Sequence, residues 1–169
     1  DLGRAFSFAY GEKENGAVFS HMAVMYAYAL YLVWRPQDGR KAWSSLYRLA
    51  THQTTAKIFP CLPEYFNSER RGMYCYLTGS ASWLIYLLLT QVYGIRGRLG
   101  DLIIDPQLTK EDFSSNNSAG IRVRFAGRLL AFSFKNPKKL NAGEYGIAGI
   151  FCNGKLIDAY KNKEGGALL

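Results

Sequence analysis

The stretch TGSASWLIYLLLTQVYGIRGRLGDLIIDP, from Thr78 to Pro106, divides the sequence into two kinds of local pattern. Its first part is an apolar run opened by Thr78, whose hydroxyl can cap a helix, and closed by Gly94, a residue type that commonly ends one. Its second part contains Asp101 to Asp105, a short apolar strand stopped by proline. The stretch therefore predicts a helical half, a boundary between Gly94 and Asp101, and a half made of strands.

The sequence predicts two more helices upstream of this stretch. One runs from His21 to Trp34 with Ser20 as its N-cap, and the other from Pro36 to Ala50, because proline suits the first turn of a helix. Apolar residues three or four positions apart are expected to face the core. They are Met22, Met25, Tyr26, Ala29 and Leu30 in the first helix and Trp43, Leu46, Tyr47 and Ala50 in the second.

Two antiparallel hairpins are predicted in the second half. Alternating residues from Ile121 to Phe134 turn at Ala126-Gly127. Tyr145 to Phe151 and Leu156 to Tyr160 flank Asn153-Gly154, the strongest hairpin-turn signal in the chain. The expected fold class is therefore α+β.

Composition limits the function classes. The 169 residues are 49% hydrophobic and 15% aromatic, which is typical of a folded protein, and no apolar run reaches membrane-spanning length. The net charge of +8 is spread along the chain, so nucleic-acid binding is disfavoured. Three cysteines without metal spacing predict free thiols in a reducing compartment. The first residues show no signal peptide, and we expect them to be internal to a longer polypeptide.

Two predicted helix starts are candidate anion sites. The first turn of a helix has N–H groups without partners and a partial positive charge. His21 stands at one start and Thr78-Gly79 at the other. Each residue also has a purely structural interpretation: His21 as a core histidine, Thr78 as an N-cap and Gly79 as a close-packed glycine. Lys13 and Glu14 precede an Asn-Gly turn as surface charges, and the sequence shows neither a nucleophile–base pair nor a metal-ligand cluster.

Three motifs in order resemble glycoside hydrolase family 94, the cellobiose, chitobiose and β-1,2-oligoglucan phosphorylases and the C-terminal unit of cyclic β-1,2-glucan synthases. They are KENGAVFSH at 13–21, PEYFN at 63–67 and LTGSASW at 77–83. The resemblance covers about residues 2 to 160. It implies the last helices of an (α/α)6 barrel over 1–97, followed by a small, jelly-roll-like antiparallel β-sandwich over 98–169.

The resemblance also implies an activity and a set of site residues. Such enzymes cleave β-linked gluco-oligosaccharides with inorganic phosphate and invert the anomeric carbon to give α-glucose 1-phosphate, without a cofactor. The matching phosphate ligands are His21, Thr78 and Gly79. Among the substrate-binding matches, Lys13 corresponds to a lysine near the acceptor sugar in some members, and Glu14 and Asn67 are weaker matches.

The general acid of the family is an aspartate that lies upstream of the matching region. Asp1, Asp38 and Asp101 do not occupy its motif, so this chain is expected to contain no catalytic residue and to be inactive alone. The expected partners are oligosaccharide, phosphate and the rest of the parent polypeptide. A homodimer and a cytoplasmic location are further expectations. The alternative is a non-catalytic carbohydrate-binding or assembly module with Trp83 and Tyr65 lining a sugar surface.

Overall fold

A computed structural model describes residues 3–58, 61–75, 78–158, 160–161 and 167–168. The chain forms two compact units, Asp1–Leu87 and Leu88–Leu169. The helices lie mainly in the first unit and most strands in the second, so the structure is compatible with the predicted α+β class. The domain limits at residue 97, the barrel and the sandwich stay predictions.

Among its described residues, the first unit has four α-helices. They are α1 Ser20–Leu32, α2 Pro36–Thr51, α3 Gln53–Ala56 and α4 Gly79–Leu87. The predicted start of α2 at Pro36 is confirmed. Ser20 is not the N-cap of α1: it is the first helical residue, and Phe19 precedes it in an extended conformation without a side-chain cap.

The predicted buried face of α1 is wrong except at Leu30. Met22, Met25 and Tyr26 are exposed, and the helix instead buries Ser20, Val24, Ala27, Leu30 and Tyr31. Because apolar residues surround this helix on nearly every side, spacing could not select the buried face. The selection is made by α2, since a Cβ at Gly39 would lie 2.6 Å from the Tyr31 ring. The predicted face of α2 holds for Leu46 and Ala50, whereas Tyr47 is exposed.

A small antiparallel sheet lies against the start of α1. It has the order β1 Val18–Phe19, β2 Tyr65–Phe66 and β3 Gly72–Met73. Phe19 pairs with Tyr65, and Tyr65 pairs with Met73. The backbone N–H of Ser20 donates to the Glu64 carbonyl at 2.9 Å, which extends the contact from the sheet into the helix. The sheet thus places the 63–67 motif beside the first turn of α1.

A disulfide joins Cys61 and Cys75, whose Cα atoms are 6.0 Å apart. The expectation of free thiols is wrong for these two residues and confirmed for Cys152, which is free and exposed. The cause is the pairing of β2 with β3, because the Glu64 N–H donates to the Tyr74 carbonyl and so brings the flanking cysteines opposite each other. A separation of 14 residues in sequence carried no such signal.

The end of the third predicted helix differs from expectation. α-Helical bonding stops at Leu87, and Leu88–Val92 forms a π-helical turn in which the Tyr93 N–H donates to the Leu88 carbonyl at 2.8 Å. Gly94 then ends the helical segment with φ +65°, as predicted.

The strands of the second unit are all paired antiparallel. They are β4 Ile95–Arg98, β5 Asp101–Ile104, β6 Ser118–Phe125, β7 Arg128–Lys135, β8 Ile150–Cys152, β9 Lys155–Ile157, β10 Tyr160–Lys161 and β11 Ala167–Leu168. One sheet has the order β10-β11-β5-β4, and β6–β7 and β8–β9 are separate hairpins.

Both predicted hairpin turns are confirmed. Positive φ angles occur at Ala126-Gly127 (47° and 76°) and at Asn153-Gly154 (50° and 81°), which suits tight antiparallel connections. The predicted strand from Tyr145 is wrong over 145–149, where the chain is irregular and pairing starts only at Ile150. Gly146 and Gly149 in that segment weaken a strand because they supply no side chain to pack.

Candidate functional site

The two predicted anion-binding helix starts meet in the first unit. A Cβ built on Gly79 would lie 2.5 Å from Cε1, 2.9 Å from Nδ1 and 3.0 Å from Nε2 of His21. The imidazole ring therefore lies directly on the glycine. A side chain on any other residue type at this position would clash with the ring. Helices α1 and α4 thus bring their N-terminal turns together at this contact.

Thr78 caps α4. Its Oγ1 accepts a hydrogen bond from the backbone N–H of Ser80 at 3.2 Å and also forms a hydrogen bond with the Ser80 hydroxyl. Ser80 is fully buried, and its hydroxyl donates to the Pro63 carbonyl at 3.5 Å. The predicted capping role is therefore observed, and Thr78 and Gly79 are held firmly beside His21.

Two buried polar atoms at the start of α1 form no hydrogen bond within the described residues. The Ser20 hydroxyl is buried and the His21 Nε2 atom is buried, and neither has a hydrogen-bond partner within the described residues. No side chain caps the first turn. Buried polar atoms in proteins are nearly always paired, so groups without a partner in one small region indicate a place where a ligand or water can bind. The sequence singled out His21 but missed Ser20 in this role.

The substrate-binding candidate Lys13 lies against the β2–β3 sheet. Its ammonium forms an ion pair with Glu64 at 2.9 Å and lies 4.1 Å from the ring centroid of Tyr74 and 5.1 Å from that of Tyr65. The side chains of Lys13 and Glu64 keep 20% and 24% of their exposure. This partly buried pair connects to the helix start through the backbone of Glu64, which accepts the hydrogen bond from Ser20.

Asn67, a second substrate-binding candidate, is held by Glu12. The Glu12 carboxylate accepts hydrogen bonds from Asn67 Nδ2 at 3.0 Å and from the Tyr65 hydroxyl at 2.9 Å. These two bonds, that from Asn67 first, lower the pKa of the Glu12 carboxyl below its usual 4.5. Burial and then the Glu12 carboxylate raise the pKa of Tyr65 well above its usual value. Lys13 and Asn67 therefore share one polar network.

The third substrate-binding candidate, Glu14, forms an ion pair with Arg4 at 3.4 Å, where the Arg4 side chain is 78% exposed. Sequence reasoning did not assign a role to Glu12, Glu64 or Tyr74. Glu64 and Tyr65 belong to the PEYFN motif, which was the signal available for them, whereas nothing in the sequence indicated Glu12.

The fold and this geometry define a chain with α+β content and a partly unsatisfied polar site where two helices start. The chain is 28% identical over 141 residues to the cellobionic acid phosphorylase of Neurospora crassa. The match covers 75% of this chain and 17% of that protein, so the chain spans about a sixth of its relative's length. No protein-family model matches the sequence. The similarity supports a distant relationship to phosphorylases at the level of the family and no finer.

Proposed function

We propose that the chain is the C-terminal part of an inverting glycoside phosphorylase, which cleaves β-linked gluco-oligosaccharides with inorganic phosphate to give α-glucose 1-phosphate. The observation that carries this proposal is the contact of His21 with Gly79, where two helix starts meet beside buried polar atoms without partners. Phosphate is the attacking substrate in this reaction, and no cofactor takes part.

Phosphate suits this arrangement because it accepts hydrogen bonds at every oxygen. The first turns of α1, 13 residues long, and α4, nine residues long, provide backbone N–H groups and the positive ends of two helix dipoles. Nε2 of His21 supplies a further hydrogen-bond donor when the proton of the neutral ring is on that nitrogen. Gly79 lets the His21 ring approach the first turn of α4 closely, and Thr78 fixes that turn.

The network around Lys13 suits the sugar side of the reaction. Amide, carboxylate and ammonium groups commonly form hydrogen bonds with sugar hydroxyls. The side chains of Asn67, Glu64 and Lys13 carry these three groups and lie close to the start of α1. Tyr65, in contrast, is only 2% exposed. Its role in the proposal is to position this network.

The general acid is expected from another part of the parent polypeptide. Asp38 lies in the first turn of α2 and forms a hydrogen-bonded ion pair with Arg35, which precedes that helix. Asp101 begins β5 of the second unit. Several large apolar side chains are also exposed on the first unit: Met22, Met25, Tyr26, Tyr47, Ile85 and Tyr86. Exposed apolar patches commonly mark surfaces that pack against further protein. This exposure supports a first unit that packs against upstream helices.

The alternative, a non-catalytic carbohydrate-binding module, depends on aromatic rings that face solvent. Tyr65 is buried, and the Trp83 ring packs edge-on against Tyr28 and Tyr86 at 5.4 and 5.8 Å between centroids. Aromatic rings that pack edge-on against each other are typical of a hydrophobic core rather than of a sugar-binding surface. The phosphorylase proposal is therefore favoured.

A phosphate titration of the ¹⁵N-labelled chain tests the proposed site. We expect saturable shifts of the amide signals at the starts of α1 and α4 when inorganic phosphate is added at constant ionic strength. His21→Gln should weaken this binding at least about fivefold, since it removes a buried donor. The chain offers a matched control in its other histidine, because His52→Gln changes an exposed ring that bonds to Thr55.

Two outcomes contradict the proposal. One is an absence of saturable shifts at these helix starts up to tens of millimolar phosphate. The other is an equal loss of affinity in His21→Gln and His52→Gln, which would show a general charge effect.

A further inference from the structure

The second unit contains a small open cavity with a cationic lining. Its volume is about 250 Å³, and its walls include Lys110, Ser115, Asn117, Asn136 and Lys139. Small-molecule sites usually measure about 300–1,000 Å³. This cavity is slightly smaller than that and open on one side, so it has room for a phosphate group and for part of a small organic group attached to it.

The walls are fixed by hydrogen bonds before any ligand binds. The buried Asn136 uses both ends of its side-chain amide on the backbone of Leu140, at 2.8 and 3.1 Å. Its own N–H donates to the Asn117 carbonyl at 2.9 Å, and the Lys139 N–H donates back to the Asn136 carbonyl at 3.1 Å. The two loops that form the cavity are thus tied to each other through Asn136.

The two positive charges at the cavity, on Lys110 and Lys139, are not neutralised by carboxylates of the described residues. In the part of the chain that the structure describes, the ammonium groups of Lys110 and Lys139 have neither an ion pair nor a hydrogen bond. The nearest carboxylates in sequence, Glu111 and Asp112, accept hydrogen bonds from Thr109. The second unit carries 12 Lys and Arg and 7 Asp and Glu, a net charge of +5. The cavity therefore favours an anion.

We propose that this cavity is a second anion site, which binds a phosphoryl dianion through Lys110 and Lys139. Two ammonium groups match the charge of a phosphate monoester or of inorganic phosphate, and the Ser115 hydroxyl and the Asn117 amide supply neutral donors. The site lies on the second unit and uses none of the residues of the site at His21, so it stands independently of the proposed phosphorylase activity.

The test is an NMR titration of the ¹⁵N-labelled chain with inorganic phosphate and, separately, with a hexose monophosphate, at constant ionic strength. We expect saturable shifts at Lys110, Asn117 and Lys139 in one or both titrations, and the tighter of the two ligands identifies the source of the phosphoryl group. Lys139→Gln should lower the affinity at these signals at least about fivefold. Lys138→Gln removes a neighbouring exposed charge that does not line the cavity, and should change it much less.

A second variant separates binding from folding. Lys139 has φ +54°, so Lys139→Gly relieves an unfavourable backbone conformation while it removes the ammonium. This variant should be at least as stable as wild type and yet lose affinity. His21→Gln should leave the signals of this cavity unchanged, whatever its effect at the helix starts. The proposal is overturned if neither ligand gives saturable shifts here, or if Lys138→Gln and Lys139→Gln reduce them equally.

Discussion

Gly79→Ala tests the contact on which the proposed phosphate site depends. The substitution adds one methyl group at the point where the His21 imidazole lies against the first turn of α4. The new Cβ would stand 2.5 Å from the nearest ring atom, closer than real Cβ atoms approach other atoms. The ring must therefore move away, because the backbone of α4 is fixed by the Thr78 cap.

The expected loss of stability combines two opposing effects. Overpacking a close contact costs about 1–3 kcal/mol. Replacement of a helical glycine by alanine gains about 0.5–1 kcal/mol from the lower entropy of the unfolded chain. The free energy of unfolding of the first unit should therefore fall by between about 0 and 2.5 kcal/mol, with a middle value of about 1 kcal/mol. With urea m-values of about 1–3 kcal/mol per molar, a fall of about 1 kcal/mol lowers the unfolding midpoint by about 0.3–1 M.

Tryptophan fluorescence during urea unfolding measures this effect in the right unit. All three tryptophans lie in Asp1–Leu87, and the Trp83 ring is 5.9 Å from the His21 ring. The control is Gly146→Ala in the second unit, where a Cβ meets nothing within 4 Å; it should leave the tryptophan transition in place. An unchanged midpoint in Gly79→Ala, together with an unchanged NMR signal from the His21 ring, would refute the reasoning.

Two further predictions concern the network and the disulfide that support this site. The Glu12 carboxyl has a lowered pKa in the folded chain, so its stabilising effect is present above the unfolded value of 4.5 and lost as the pH falls through the folded value. The urea midpoint of the first unit should therefore fall below about pH 4.5. It should fall less steeply in Glu12→Gln, with the exposed Glu69→Gln as control; an identical pH dependence in wild type and Glu12→Gln would contradict the prediction. Thiol titration of the denatured chain should find one free thiol, Cys152, before reduction and three after it. Cys61→Ser combined with Cys75→Ser should destabilise the first unit by about 3 kcal/mol, as expected for a loop of about 15 residues, whereas Cys152→Ser should not; three thiols before reduction would exclude the bond.

The elements that sequence predicted correctly are those fixed by local chemistry. Pro36 starts α2 because its ring suits the first turn, and Thr78 caps α4 through its own hydroxyl. Asn153-Gly154 and Ala126-Gly127 make hairpins because positive φ angles suit them. Each of these signals acts within a few residues of the chain, so the rest of the fold is not needed to interpret it.

The errors occurred where distant segments decide the outcome. The apolar composition of α1 allowed several buried faces, and only the approach of Gly39 to Tyr31 selects one. Cys61 and Cys75 meet because β2 pairs with β3. The register of those two strands depends on partners that the local sequence does not specify.

The candidate site shows the same division. The sequence by itself determined that His21 and Thr78-Gly79 stand at helix starts, because the apolar runs that follow them specify helices and helix starts attract anions. Only the tertiary structure decided that these two starts touch, that Ser20 is buried without a partner, and that Glu12 holds Asn67 beside Lys13. The physical reason is distance along the chain: contacts across more than 50 residues are set by packing, which no local pattern encodes.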